Sequence, residues 1–456
     1  MQKLTQQLMA ALLLMGSVSV GWAQDGPTTN TFNLEQCVEY ALEHNQNILN
    51  KALDKEIADT QVGETLSMGL PQVNINSGIN YNYEIQKSLI DASNFDNTVP
   101  AGTEVEFAFG QAYDGNIVLS AKQLIFDGSF FVGMQAARTY RELSTKEHIK
   151  TKIDVIEAVS KAYYNALITN ERMVLVEANF SRLDSLLSDT EALYTNGFVE
   201  KIDVSRLKVQ FNNLTVERNK LQQYAKISND LLKFQMGMPL PNTLDVNESL
   251  EDMSFQEVEE NTSEFSYNTR IEYSQLQTNM SLTQLDMKNN KVQYIPNLYA
   301  NFNYGYNTAT SESGKLFNSD RWLNFGSLGL SLSIPVFDGF LKKNRIQKNR
   351  IQLKQIQQTM NMVENSIDLE IRQSKVNLNS AIENMAAQKE NMNLAKEVFD
   401  VTKIKYEEGV GSNSEVLDAD TALKESQTNY YNALYDALVA KIDLQKAYGT
   451  LLKAEQ

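Results

Sequence analysis

Histidine and cysteine, side chains often recruited for proton transfer, nucleophilic attack and metal binding, are scarce in this 456-residue chain. It has two histidines, His44 and His148, and one cysteine, Cys37. A hydrolytic or acyl-transfer centre needs an activated nucleophile or a metal with several ligands. Neither histidine has ligand-like company, and both read as solvated helix-face residues. No catalytic residue, metal site or cofactor is expected. The pairs Asp127-Gly128 and Asp338-Gly339 invite a catalytic reading. Aspartate beside glycine ahead of a helical stretch is better read as a cap and a sharp turn. Carboxylates at helix starts remain. Glu415 and Asp418 open one helical stretch, and Asp203, in Lys201-Ile202-Asp203-Val204, opens another. Acids are favoured there by the helix dipole alone. Their chemistry would be electrostatic: if copies of the chain close round an axis, such acids form rings that attract cations.

The elements that would carry these residues are long. Leu341 to Tyr406 holds no proline and no glycine. Unbroken, a helix of that size is roughly 100 Å long, against about 11 residues for a typical globular helix. Leu353, Ile356, Met360, Val363 and Ile367 follow a 3,4 spacing, a coiled-coil seam. The step of four to Ile371 is a stutter. Leu378, Ile382 and Met385 resume the seam, and Val398, Val401 and Ile404 are expected to close it. Such a helix must pack along other long helices.

The landmarks recur. Phe126-Asp127-Gly128 is matched by Phe337-Asp338-Gly339, 211 positions later. The helical tip turns at Tyr194 with Gly197 are matched by Tyr406 with Gly409, and Gly237 is matched by Gly449; both glycine pairs are 212 apart. Pro71-Gln72-Val73-Asn74 recurs as Pro296-Asn297-Leu298-Tyr299. The mature chain reads as two tandem copies of one unit: helix, strand, loop, strand, long helix, turn, helix. The expected boundaries are a signal peptide at 1–23, a first repeat at 24–240, an acidic inter-repeat segment at 241–264 and a second repeat at 265–456. The signal peptide rests on Lys3, the apolar run Leu8 to Val20 and the small residues around Gly21-Trp22-Ala23.

Four stretches alternate with period two. Val73, Ile75, Ile79, Tyr81 and Tyr83 share a face, with asparagines opposite. Leu298, Ala300, Phe302, Tyr304 and Tyr306 do the same, and Leu328, Leu330, Leu332 and Ile334 alternate with serine and glycine. A fourth, about Asn116 to Phe126, alternates less cleanly. The chain offers no other apolar layer for these faces to cover. Tyr81, Tyr83, Tyr304, Tyr306, Trp322 and Phe325 gather toward one end, as an interfacial girdle would. Four strands cannot close a barrel, and open edges are not tolerated in lipid. Several copies must therefore share one barrel. Eight strands would fill their interior with side chains and twelve would leave a lumen; the Asn- and Ser-rich inner face favours the larger count. The loops Gln86 to Tyr113 and Thr310 to Arg321 are long and polar, and would lie outside the cell.

Composition sets limits on this reading. A net charge of −16 and a pI of about 4.8 make a poor nucleic-acid binder. A mean hydropathy of −0.37, with no long apolar run after the signal, excludes a helical membrane protein. It does not exclude a β-barrel, whose short alternating strands escape such averages. A single cysteine cannot form an internal disulfide.

Over nearly its whole mature length the chain resembles the TolC family of outer-membrane efflux proteins. The run Asn33-Leu34-Glu35-Gln36-Cys37-Val38-Glu39-Tyr40-Ala41-Leu42-Glu43-His44-Asn45 is similar to the family's opening helix. Pro335-Val336-Phe337-Asp338-Gly339 resembles its strand-to-helix junction. Tyr406-Glu407-Glu408-Gly409, followed by Glu415-Val416-Leu417-Asp418-Ala419, resembles the tip of its second repeat. The resemblance implies an α+β membrane protein: a homotrimer whose four strands per chain complete a 12-stranded barrel in outer-membrane lipid. A long antiparallel coiled-coil tunnel of helices would extend through the periplasm of a Gram-negative cell. It implies docking to a periplasmic adaptor (membrane fusion) protein and an inner-membrane pump, and passive export rather than enzymatic work. It places Glu415 and Asp418 at the entrance and Asp203 at the matching point of the first repeat, where the family uses a polar latch. Gly411 departs from that pattern, standing where the best-known member has an arginine. The alternative reading is a non-conducting coiled-coil surface or structural protein anchored by a barrel. A periplasmic adaptor is a further alternative, but no lipoyl-like β domain is found.

Overall fold

The computed structural model describes residues 30–95, 98, 100–246 and 265–452. The expected signal peptide and residues 247–264 of the acidic inter-repeat segment lie outside the described residues. In chain order the elements are β1 (Asn30–Phe32), α1 (Leu34–His44), α2 (Gln46–Ser67), β2 (Gln72–Tyr81), β3 (Lys87–Asp91), β4 (Glu104–Ala108), β5 (Tyr113–Phe126) and α3 (Gly128–Thr195). They continue with α4 (Lys201–Met236), β6 (Leu244–Val246), α5 (Ile271–Val292), β7 (Asn297–Thr310), β8 (Leu323–Ser333), α6 (Leu341–Glu407) and α7 (Asn413–Tyr448). Helices α3 and α6 run unbroken for 68 and 67 residues. No glycine or proline interrupts α6, so nothing in its sequence stops the hydrogen-bond ladder.

The chain divides into two compact units, and each is built from segments of both sequence halves. The first gathers Met1–Gln46, Val155–Glu260 and Val376–Asp443. In its described residues four helical segments lie side by side. Leu183, Leu187, Leu207 and Leu214 join α3 to α4. Phe399, Val416, Ala419 and Leu423 join α6 to α7, while Ile168 with Leu434 and Leu438 joins α3 to α7. At the other end of the same unit, β1 pairs in parallel with β6 through Asn30↔Leu244 and Phe32↔Val246. Asp245, within the expected acidic inter-repeat segment, is therefore in a short strand. Helix α1 begins with a capping box: Gln36 N–H donates to Asn33 Oδ1 and Asn33 N–H to Gln36 Oε1. It ends at Asn45, so the single opening helix of the first repeat is two.

The buried line of α6 in this unit is a heptad seam that keeps the expected Leu378 and Met385 and leaves the expected one only at its end, where Phe399 and Thr402 turn inward in place of Val398 and Val401. Leu378, Met385, Met392, Phe399 and Tyr406 recur every seven residues and are buried or half-buried. Between them the small or polar Ala381, Gln388, Ala395 and Thr402 turn inward. Val398, Val401 and Ile404 face outward at 56%, 47% and 58% exposure. They form a second stripe that nothing among the described residues covers.

The second unit holds Asn47–Asp154, Asn261–Lys375 and Leu444–Gln456. Its sheet has the order β2-β5-β7-β8, all antiparallel. The sheet is a single layer. Val73 and Ile75 on β2 are 59% and 71% exposed, and Leu328, Leu330 and Leu332 on β8 are 82%, 73% and 61% exposed. Its other face is polar, with Asn301 donating to Ser331 Oγ at 2.7 Å and Asn303 to Ser327 Oγ at 3.4 Å. Strand β5 starts at Tyr113, three residues earlier than expected. Its weaker alternation has a cause, a register break between Leu124 and Phe126. The aromatic residues collect at the loop end of the sheet: Tyr81 stacks on Tyr113 at 4.8 Å, and Tyr304 meets Tyr306. A second group stands at the helix end, where Phe126, Phe130 and Phe131 pack together, as do Phe337 and Phe340. The first outer loop is less irregular than its composition suggests, because β3 and β4 pair as a hairpin.

Beneath the sheet, α2, α3, α5 and α6 lie side by side, joined by polar contacts. Arg141 on α3 pairs with Asp59 on α2 at 3.4 Å. Lys146 on α3 donates to Thr278 Oγ1 on α5 at 2.6 Å. The amide of Asn349 on α6 donates to Asp286 Oδ2 on α5 at 2.6 Å. Within each unit, one glycine closes an equivalent junction. Gly237 ends α4 at φ +75°, and a Cβ there would lie 2.6 Å from the carbonyl oxygen of His44, two residues before α2. Gly449 follows α7 at φ +72°, and its Cβ would lie 2.8 Å from the carbonyl oxygen of Thr269, two residues before α5. The Asn45 amide donates to Gln235 O at 2.7 Å, and the Arg270 guanidinium to Ala447 O at 2.9 Å.

Candidate functional site

The residues singled out for function fall in two places. The strand-to-helix junctions, in the second unit, behave as caps and turns. Ser129 N–H donates to Asp127 Oδ1 at 2.7 Å, and α3 starts at once from Gly128. Lys342 N–H donates to Asp338 Oδ2 at 3.0 Å, and its ammonium lies 3.1 Å from the same oxygen. The Lys342 backbone bond, first among its causes, holds the Asp338 carboxyl below its ordinary pKa. Gly339 and Phe340 both take the left-handed conformation, at φ +65° and +66°. The second junction thus contains a turn that the first lacks. His44 is exposed as expected, stacked on Tyr40 at 4.1 Å. His148 is half-buried, which corrects the reading of it as solvated.

The helical tips, in the first unit, are built twice over on one plan. Phe198 N–H donates to Leu193 O and Val410 N–H to Lys405 O, both at 2.9 Å, around Gly197 (φ +80°) and Gly409 (φ +76°). These are Schellman closures, which need a residue free to adopt positive φ. Just beyond them Phe198 and Val410 are 77% and 78% exposed. The two tips touch: the Asn413 amide donates to the backbone oxygen of Asp203 at 3.2 Å.

The three candidate acids are not equivalent. Asp203 is half-buried and accepts from Glu200 N–H at 3.3 Å, so its carboxylate caps its own helix. Glu415 and Asp418 are exposed and, at i and i+3, share a face of α7. Glu415 N–H donates to Ser412 Oγ at 3.3 Å, which leaves the Glu415 carboxylate turned to solvent. Val416 and Leu417 between them and Ala419 just beyond are buried, and this fixes the direction the acids face. A Cβ on Gly411 would come within 3.0 Å of Tyr406 N, so the turn has little room for an arginine.

One acid the sequence reading missed sits deeper. The Asp420 side chain is 7% exposed and meets Arg182 of α3 at 2.9 Å and Lys424 at 2.6 Å. Arg182 also donates to Asn179 Oδ1 at 2.8 Å and lies over the Phe399 ring at 4.5 Å. Nearby, Tyr406 OH approaches Thr190 Oγ1 at 3.4 Å, tying α6 to α3. Among the described residues no group of three or more His, Cys, Asp and Glu side chains is placed to hold a metal ion. The arrangement offers exposed carboxylates of Glu415 and Asp418 on a firmly packed tip.

Residues 273–450 match the family model described as Outer membrane efflux protein. The outer membrane protein TolC of Vibrio cholerae is 22% identical over 468 residues, covering 99% of this chain and 96% of that protein. Among solved structures, the Campylobacter jejuni CmeC outer membrane channel superposes with a TM-score of 0.72 at 13% identity, covering 96% of this chain and 92% of that one. The open state of the Neisseria gonorrhoeae MtrE outer membrane channel gives 0.71 at 15% identity, covering 93% and 90%.

Proposed function

From a chain that is TolC-like in sequence and in fold, we propose an outer-membrane duct of a tripartite efflux or type I secretion system. Substrates delivered by an inner-membrane pump and a periplasmic adaptor pass through it without chemistry. The observation that carries this reading is the single-layer sheet. Its apolar face is bare, its other face is polar, and the outer edges of β2 and β8 pair with nothing among the described residues. Neither open edges nor isolated strands are tolerated in lipid. Three copies supply twelve strands, joining β8 of one to β2 of the next, and leave a lumen lined by the polar face. The run Leu298 to Tyr306 on β7 is nine residues long, and a tilted strand crosses the membrane in about 9–11 residues. An outer-membrane barrel needs an apolar band of about 25 Å. The outward stripe Val398, Val401 and Ile404 then packs against a neighbouring copy, completing the tunnel wall. The exposed Phe198 and Val410 at the tips suit contact with the adaptor.

Within this duct Glu415 and Asp418 form the cation-attracting entrance, while Asp203 holds the tip of the first repeat. Cysteines introduced along β2 and β8 in a Cys37→Ser background test the assembly. Oxidation is expected to join copies into a closed trimer on denaturing gels. Monomers at every register tried would count against it.

A further inference from the structure

The first turns of α6 carry a charge pattern that a duct does not require. Between Leu341 and Val363 stand Lys342, Lys343, Arg345, Lys348, Arg350 and Lys354, without one acid, in a chain of net charge −16. Lys342 is taken by Asp338. Lys343, Arg350 and Lys354 are exposed, and among the described residues none of the three forms an ion pair. Steps of seven and four residues keep the three on one side of the helix, with about 10 Å of rise from Lys343 to Arg350.

That side is identified by its neighbours. Phe337 and Phe340 pack edge-on at 5.4 Å and are 75% and 58% exposed; Val336 before them is 91% exposed. The Lys343 ammonium lies 5.6 Å from the centre of the Phe340 ring. An aromatic pair at the end of a membrane strand belongs at the lipid interface, since in a water-filled lumen it would stay hydrated. The stripe therefore descends from the lipid-facing aromatic pair into the headgroup layer and just beyond it. Arg345 and Lys348 are turned elsewhere, bordering the cavity lined by Asp286, Asn290 and Asn349. The first junction has no such stripe: Val132, Thr139 and Leu143 stand at the same distances from Asp127 as the three cations do from Asp338.

We infer that Phe337, Phe340, Lys343, Arg350 and Lys354 form a binding site for anionic phospholipid headgroups in the periplasmic leaflet. The inference rests on the outer-membrane reading above. The aromatic pair sets the depth, Lys343 meets the phosphate at the interface, Arg350 attracts it from about a Debye length, and Lys354, about 16 Å of rise below Lys343, adds a weaker, more screened attraction. Each chain supplies one such site. A basic residue beside an anionic membrane surface is worth about a fivefold gain in binding.

The test uses the full-length protein in nanodiscs holding phosphatidylglycerol and phosphatidylcholine, with retained lipid counted by native mass spectrometry. Wild type is expected to retain phosphatidylglycerol preferentially, less so as salt is raised. Lys343→Gln alone should lower the preference about fivefold, and adding Arg350→Gln and Lys354→Gln should lower it further. Arg345→Gln with Lys348→Gln should leave it unchanged. Equal retention of both lipids by wild type overturns the inference, and so does a loss in the Arg345/Lys348 variant as large as in the stripe variant. Planar-bilayer conductance of the same samples separates the two readings. Conduction without lipid preference sinks the lipid site alone, and lipid preference without conduction sinks the duct alone.

Discussion

Removing the Asp420 carboxylate would leave Arg182 and Lys424 facing each other at a largely buried spot. Breaking such a pair from one side costs about 3 kcal/mol, at the lower end for buried pairs because Arg182 keeps some solvent contact. Asp420→Ala should therefore lower the thermal midpoint measurably, whereas Asp418→Ala, exposed two residues away, should barely move it. The opposite split is expected in selectivity. Glu415→Ala with Asp418→Ala should weaken cation preference and block by trivalent cations in single-channel recordings, and Asp420 should matter only through folding. Sequence spacing could single out Glu415 and Asp418 because they open a helix next to a glycine turn. It could not single out Asp420, whose main partner is 238 positions away. Nor could it show that Asp203 is spent on its own helix cap, since that depends on how Glu200 N–H is directed.

Among the elements, the glycine closures separate backbone strain from crowding. Gly197→Ala meets nothing within 4 Å and should cost only the left-handed penalty, about 1–2 kcal/mol. Gly237→Ala pays that and also drives a Cβ toward His44 O, so its loss of thermal stability should be clearly larger. The segment leading into α5 adds a pH-dependent tie. Tyr267 OH donates to Asp368 and Tyr273 OH to Glu364, and these bonds, the largest cause in each case, raise both phenol pKa values. A raised pKa means the contribution is intact below the ordinary tyrosine value near 10 and is lost as pH climbs past it. Melting curves across that alkaline range should fall for wild type and flatten for Tyr267→Phe with Tyr273→Phe. The long helices and the sheet strands were legible because α6 lacks breakers and three of the four strands alternate cleanly. The end of the α6 seam was not. Small residues such as Ala395 and Thr402 hold the inward positions there, while larger apolar ones face out and draw the eye. The pairing of β1 with β6 was also hidden, since three-residue strands carry no period.

For the molecule as a whole, a bare apolar sheet face and an uncovered helical stripe are evidence about missing surroundings. The sheet asks for lipid on one side and water on the other, and the stripe asks for a neighbouring helix. The proposed assembly, a closed ring of chains in a membrane, would meet all three demands. The most direct test of that claim is planar-bilayer recording of the purified, inserted protein. The account predicts discrete ohmic conductance steps that favour cations. A correctly inserted protein that passes no ions would contradict it.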